Sequence, residues 1–271
     1  MRSVTKTGTP ATRPVVLITG AAGGLGGALA EAYARDGAEL VLADIDEAGI
    51  DTLASRCPGA LVAAADIRDR AACEALVAAA LERFGRLDVL IHNAGLTHRS
   101  AFRDTDLEVI RRVFEVNFFA AVQLTAAALP HLLANRGTIV VVSSVAGVAP
   151  LIGRTGYAAS KHALHGFFDT LRTEHAADGL GVVIVCPSFI DTGFSQRALD
   201  ASGGRVRRQR ANVGRLLRPG QVAEAVVAAV RRRRRLVLVS PVAHASMWLH
   251  RLAPALYERL MRRSQRAELS A

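Results

Sequence analysis

Val15-Val16-Leu17-Ile18-Thr19-Gly20-Ala21-Ala22-Gly23-Gly24-Leu25-Gly26 is the stretch that decides the fold. An apolar, β-branched run ends at a glycine, further glycines follow at 23, 24 and 26, and a helical pattern carries on from Gly24 to about Arg35. The order is strand, turn, helix. Val15–Thr19 does not alternate apolar with polar residues, as it would if one face met water, so both faces need cover, which is the habit of a parallel sheet. In the turn, the missing Cβ atoms let a backbone approach a ligand closely. The helix start offers unpaired N–H groups and a partial positive charge to an anion. Gly20, Gly23, Gly24, Leu25 and Gly26 are therefore candidates to cradle a pyrophosphate.

Further apolar runs follow at Leu40–Ala43, Ala60–Ala65, Leu87–Ile91, Thr138–Val142, Val182–Cys186 and Leu236–Val239, separated by amphipathic or alanine-rich stretches. This alternation predicts an α/β doubly wound, Rossmann-type fold with a mainly parallel seven-stranded sheet flanked by helices, ligands lying at the carboxyl ends of the strands. Asp44 closes the second run, and Ile45 follows it. A carboxylate there accepts hydrogen bonds from the adenosine ribose hydroxyls and repels a 2′-phosphate, so NAD(H) is expected in preference to NADP(H). An aspartate in a turn would otherwise be an ordinary solvated residue.

Tyr157 stands thirteen residues after Ser144 and four before Lys161. A free phenol titrates near about 10 and needs a neighbouring cation before it can take a proton from an alcohol at neutral pH. On a helix, a residue four positions on lies one turn away on the same face, which sets the ammonium of Lys161 beside the ring. Ser144 can bond the same substrate oxygen. Singly, each of these residues is unremarkable; the joint spacing points to an alcohol–ketone redox site with Tyr157 as acid/base.

With these motifs in one order, the chain resembles the classical short-chain dehydrogenase/reductase family over about residues 14 to 240. Thr19, Gly20, Gly24 and Gly26 match the family's T-G-x-x-x-G-x-G, and His92-Asn93-Ala94-Gly95 matches its N-N-A-G with a histidine in the first place. The resemblance implies that Asn93, Ala94 and Gly95 line the adenosine side, and that Asp66 and Ile67 cap the adenine. It implies that Asn117 completes a catalytic tetrad by holding a water in a proton relay to Lys161. Pro187-Ser188-Phe189-Ile190-Asp191-Thr192 stands where the family has P-G-x-x-x-T, so Pro187, Ile190 and Thr192 are expected at the nicotinamide and Phe194 at the substrate. Tyr157 and Lys161 would also contact the cofactor. A homodimer or homotetramer, paired through the helices carrying Asn117 and Tyr157, follows from the same resemblance. A 3-oxoacyl-type reductase and a non-catalytic NAD-sensing regulator are the alternatives within this fold.

The chain has 271 residues, 51% of them hydrophobic, enough for one substantial core. Residues 1–13 are expected to be a flexible N-terminus, 14–240 a single domain with 200–218 a mobile substrate loop, and 241–271 an amphipathic extension. No apolar run precedes Val15, and no uninterrupted run approaches the length of a membrane span, so a cytoplasmic protein is expected. Cys57, Cys73 and Cys186 have no metal-ligand or disulfide spacing and are expected as buried thiols. The formal charge of +10 comes from 34 basic residues, of which only Lys6 and Lys161 are lysines. The arginines are spread over separate elements with little aromatic interleaving, which argues against nucleic acid as a partner. After residue 240, Met247, Trp248, Leu249, Leu252, Leu256, Leu260 and Met261 are interleaved with Arg251, Arg259, Arg262 and Arg263. Such a stripe can lie peripherally on the inner face of a membrane, cover the cleft, or pack on a partner subunit. A bulky apolar, sterol- or lipid-like alcohol or ketone is the expected substrate.

Overall fold

Each of the apolar runs forms a strand in the computed structural model, which describes residues 13–206 and 216–265. The strands are β1 (Val15–Thr19), β2 (Glu39–Asp44), β3 (Leu61–Ala64), β4 (Val89–His92), β5 (Thr138–Val142), β6 (Gly181–Cys186) and β7 (Leu236–Leu238). They form one sheet in the order β3-β2-β1-β4-β5-β6-β7, and every pairing is parallel. Parallel neighbours require crossovers, supplied by α1 (Gly24–Arg35), α2 (Glu47–Ala54), α3 (Arg70–Phe84), α4 (Leu107–Phe114), α5 (Ala120–Ala134), α6 (Thr155–Glu174) and α7 (Pro219–Arg231). Two further helices, α8 (Pro241–Leu252) and α9 (Pro254–Gln265), follow the sheet.

The two-residue period of β1 builds both halves of the core. Val15 and Leu17 pack in the layer with α3, α5 and α6, whereas Val16 and Ile18 pack in the layer with α1, α2 and α7. Chain order reverses at β1, between β2 on one side and β4 on the other. The crossovers leave in opposite directions there, so a crevice opens at the carboxyl ends of β1 and β4.

Helices α4 and α5 are joined without a break through a π-helical turn at Glu115–Phe119. The resulting helix, Leu107–Ala134, is long and apolar enough by composition to cross a membrane. Its apolar residues Ala120, Ala121, Leu124, Ala128 and Leu132 are instead spent in the core of this domain. All three cysteines are buried and free. Within the segment expected to be a mobile loop, Asp200 binds the backbone of Ser202 and Gly204, and Leu217 pairs with Ile190; residues 207–215 lie outside the described residues, as do 1–12 of the expected N-terminal arm and 266–271 of the extension.

The extension is a helical pair. Helix α8 is capped by the Ser240 hydroxyl, which accepts from Ala243 N at 3.1 Å and donates to Ser188 Oγ at 2.8 Å. The Tyr257 hydroxyl of α9 donates to the Pro150 carbonyl at 2.9 Å. Met247 and Tyr257 are buried, while Trp248 (52%), Leu252 (79%), Leu256 and Leu260 face outward.

Candidate active site

A cleft of about 500 Å³ runs along the carboxyl edge of the sheet. Its floor at one end is the glycine turn. Gly20 has φ +65°, and a Cβ there would lie 2.7 Å from the Ala94 Cα, so both conformation and space demand glycine. A Cβ on Gly26 would run into the Gly20 carbonyl oxygen, and one on Gly24 would sit 3.1 Å from Thr192. Asn93 fixes the turn from β4: its Nδ2 donates to the carbonyls of Thr19 (3.0 Å) and Gly20 (2.9 Å), and its amide donates to Thr19 Oγ1 (3.1 Å). The backbone is thus left bare over the start of α1, as a diphosphate requires.

Asp44 lies at the edge of this floor. Its Oδ2 accepts from Ala22 N at 2.9 Å and its Oδ1 from Asp46 N at 3.0 Å, so backbone amides hold the carboxylate in place. Ile45 beside it is exposed and lines the cleft. Asp66 and Ile67 form the next part of the wall. Asp66 is paired with the Arg68 guanidinium, whose Nε lies 3.0 Å from both carboxylate oxygens; that hydrogen bonding holds the carboxyl below its usual range. Arg68 is therefore already engaged by Asp66 at this part of the wall.

At the other end, α6 and the segment after β5 bring Tyr157, Lys161 and Ser144 to one wall. Lys161 Nζ donates to the Val142 carbonyl at 2.8 Å and lies 5.7 Å from the centre of the Tyr157 ring. Burial pulls the ammonium from its ordinary 10.5 to about 8. Ser144 Oγ accepts from Ala146 N at 3.1 Å, which caps a short turn and fixes the hydroxyl at the strand end. Phe194 reaches the ring of Tyr157, centroids 6.3 Å apart, and Pro187, Ile190 and Thr192 complete the wall beside it.

Asn117 differs in placement from the other members of this set. It sits in the π-helical turn behind the wall: Oδ1 accepts from Leu96 N at 2.7 Å, and Nδ2 donates to Leu96 O and to Ser160 Oγ, both at 2.9 Å. Its side chain therefore ties the segment after β4 to α6. His92, the departure from N-N-A-G, bonds Thr125 Oγ1 through Nε2 at 2.8 Å, while its Nδ1 is buried with no partner among the described residues. Burial drives this imidazole down to about 3. His162 is exposed on α6, and His165 bonds Ser143 Oγ at 2.9 Å on the far side of the wall.

The cleft also has lining residues that sequence patterns did not single out. Leu96, Thr97, Leu151 and Phe189 line it, together with the arginines 112 and 154. Arg154 is buried and donates to the His98 carbonyl at 3.1 Å. No local periodicity marks these positions, because they come from turns that only the fold brings together.

The short chain dehydrogenase family matches residues 14–202 of this chain. The chain belongs to the short-chain dehydrogenase/reductase family. As a member of that family it is an oxidoreductase with a dinucleotide-binding Rossmann fold. Among its relatives, dehydrogenase/reductase SDR family member 7B of Bos taurus is 37% identical over 266 residues, 94% of this chain and 82% of the relative. Dehydrogenase/reductase SDR family member 7 of Homo sapiens is 36% identical over 210 residues, 74% of this chain and 61% of the relative. A short-chain dehydrogenase/reductase from Burkholderia phymatum, solved in complex with NAD, superposes with a TM-score of 0.78 at 29% identity, covering 90% of this chain and 95% of the other. The 3-ketoacyl-(acyl-carrier-protein) reductase of Brucella melitensis, complexed with NADH, gives 0.76 at 29% identity, covering 83% and 96%.

Proposed function

We propose that this protein interconverts a secondary alcohol and a ketone with NAD(H), using Tyr157 as acid/base. The observation that carries the reading is the buried ammonium of Lys161, within one helical turn of a phenol that opens onto the cleft. The bound nicotinamide dinucleotide supplies or accepts the hydride. In alcohol oxidation Tyr157 takes the hydroxyl proton, and Ser144 donates a hydrogen bond to the same oxygen and orients it. Lys161 favours the phenolate electrostatically and is positioned to bond the nicotinamide ribose. Asn117 holds the wall from behind and belongs to the proton path leading to Lys161.

The bare glycine floor, Asn93-Ala94-Gly95, and the Asp66–Ile67 wall fit an adenine dinucleotide. Asp44, with both oxygens already oriented by amides, supports NAD(H) over NADP(H). Leu96, Leu151, Phe189 and Phe194 supply an apolar substrate end, which suits a bulky sterol- or lipid-like substrate. Likeness to the Brucella melitensis enzyme supports a 3-oxoacyl-type substrate as a second reading. Pairing through the long helices is consistent with Phe119, which stands 47% exposed on the helix carrying Asn117. The outward row Trp248, Leu252, Leu256 and Leu260 supports peripheral contact with a membrane.

The test is a panel of secondary alcohols and ketones, with sterols and 3-oxoacyl thioesters included, followed at the nicotinamide absorbance with both cofactors. Turnover of one class by the parent and its loss in Tyr157→Phe, with NADH binding retained, is the expected result. Joint loss of turnover and NADH binding would assign Tyr157 a structural role instead.

A further inference from the structure

His98 lies in the segment after β4, wholly buried, and does not reach the cleft wall. Its Nε2 accepts a hydrogen bond from the backbone amide of Gly156, 58 residues away, at 3.0 Å. An imidazole that accepts at Nε2 carries its proton on Nδ1, and that atom lies 3.2 Å from Ser100 Oγ. The chain of donors then closes without a gap. Ser100 Oγ lies 2.7 Å from Thr105 Oγ1, which donates to the Ala101 carbonyl at 2.7 Å.

Gly156 is the second residue of α6 and the neighbour of Tyr157. The first amides of a helix have no partner within it, and a side-chain acceptor at the N-cap normally takes one of them. The N-cap residue of α6 is Arg154, which makes no such bond. Its guanidinium instead donates to the carbonyl of His98, so one bond from Arg154 and one from Gly156 tie the start of α6 to His98. The approach is close: a Cβ on Gly156 would sit 3.2 Å from His98 Nε2 and 3.1 Å from Ile110. From the other side, Leu199 pairs with the same segment, its amide donating to Thr97 O at 2.9 Å and its carbonyl accepting from Arg99 N at 2.8 Å.

We propose that His98 is a positioning residue for Tyr157, an N-cap delivered from a distant loop that sets where the first turn of α6, and with it the phenol, sits in the cleft. This rests on the reading of Tyr157 as the acid/base. Arg154 assists, since a guanidinium beside the ring disfavours a second proton on it, and burial together with that charge keeps His98 down at about 4, neutral in the working range. The loop bearing Phe194 ends at Leu199, so substrate contacts and the helix start share one anchor.

Two near-isosteric variants separate this from simple core filling. In His98→Gln the amide oxygen falls where Nε2 was and can still accept from Gly156, whereas in His98→Asn it reaches only as far as Nδ1. Hydrogen exchange across residues 154–160, read by mass spectrometry, reports the contact without substrate. Turnover, KM and NADH affinity report its consequence. His98→Gln should keep the exchange protection and most of kcat. His98→Asn should lose the protection and roughly tenfold in kcat, with KM and NADH affinity within about twofold. Equal behaviour of the two variants, whether both sound or both impaired, overturns the proposal. If Tyr157→Phe turns over like the parent, the reading of Tyr157 has failed, and the exchange contrast still decides whether His98 holds the helix start.

Discussion

The Lys161 ammonium donates a hydrogen bond to the carbonyl of Val142, at 2.8 Å, from a position only 4% exposed. A charge so placed is costly. The fold lowers its pKa from 10.5 to about 8, chiefly through burial. The unfolded chain holds that proton more tightly, so stability rises with pH between about 8 and 10.5, and below 8 the full penalty of about 3 kcal/mol is present.

Lys161→Met removes that penalty and leaves the Val142 carbonyl without its donor, which costs about 1–3 kcal/mol. The two nearly cancel. Thermal unfolding of the variant at neutral pH should therefore fall at or slightly above the parent, while turnover drops by about a hundredfold or more. A large fall in melting temperature would show the ammonium to be structural.

Asp44→Ala removes the acceptor for the Ala22 and Asp46 amides as well as the carboxylate proposed to meet the ribose. The KM for NAD should rise about tenfold and that for NADP should fall or stay level, because the repulsion of a 2′-phosphate goes with the carboxylate. Steady-state kinetics with both cofactors measures it. A parallel rise in both constants would assign Asp44 to the turn alone.

His92, His98 and His165 are held neutral by burial, at about 3, about 4 and about 4, against an ordinary 6.5. Their folded pKa values are depressed, so the stability they confer is complete above about 6.5 and is lost as pH falls toward 4. Each contributes a slope of about 1.4 kcal/mol per pH unit over that window. Urea unfolding at pH 7 and at pH 5.5 should show the loss, and His92→Asn, which restores the family's residue, should reduce it by about a third, one of three such imidazoles being gone. An unchanged slope in that variant would place the acid sensitivity elsewhere.

The outward row of α8 and α9 should bring the protein up with anionic vesicles in a flotation gradient at low salt, and Trp248→Glu with Leu252→Glu should leave it at the bottom. Parent protein that stays with the soluble fraction removes the membrane reading and leaves a subunit or the cleft as what the tail serves.

The strands were legible because a doubly covered strand has no polar interruption; Val15–Thr19 and Thr138–Val142 match the sequence reading residue for residue. The glycine turn was legible for an equally local reason. What stayed hidden depends on distance. Nothing near His98 announces that it will cap a helix 58 residues on, and nothing near Asn117 announces the π-helical turn that sets it behind the wall. Arg154 sits in a loop whose sequence suggests solvent, yet it is buried, its guanidinium donating to the His98 carbonyl, which arrives from 56 residues away. The tail could be seen to be amphipathic, but only the Tyr257–Pro150 bond shows which of its residues face inward.

The order of strands also sets a timetable for synthesis. β1 leaves the ribosome first, yet its two neighbours in the sheet are residues 39–43 and 89–91. Ala94, which Gly20 must lie against, comes later still. A nascent chain that has not yet reached Ala94 therefore carries the whole glycine motif without a floor to rest on, and parallel pairing is slow and exposed while it waits. The segment that decides the fold when read cannot be fixed when made until β4 and Ala94 have followed it.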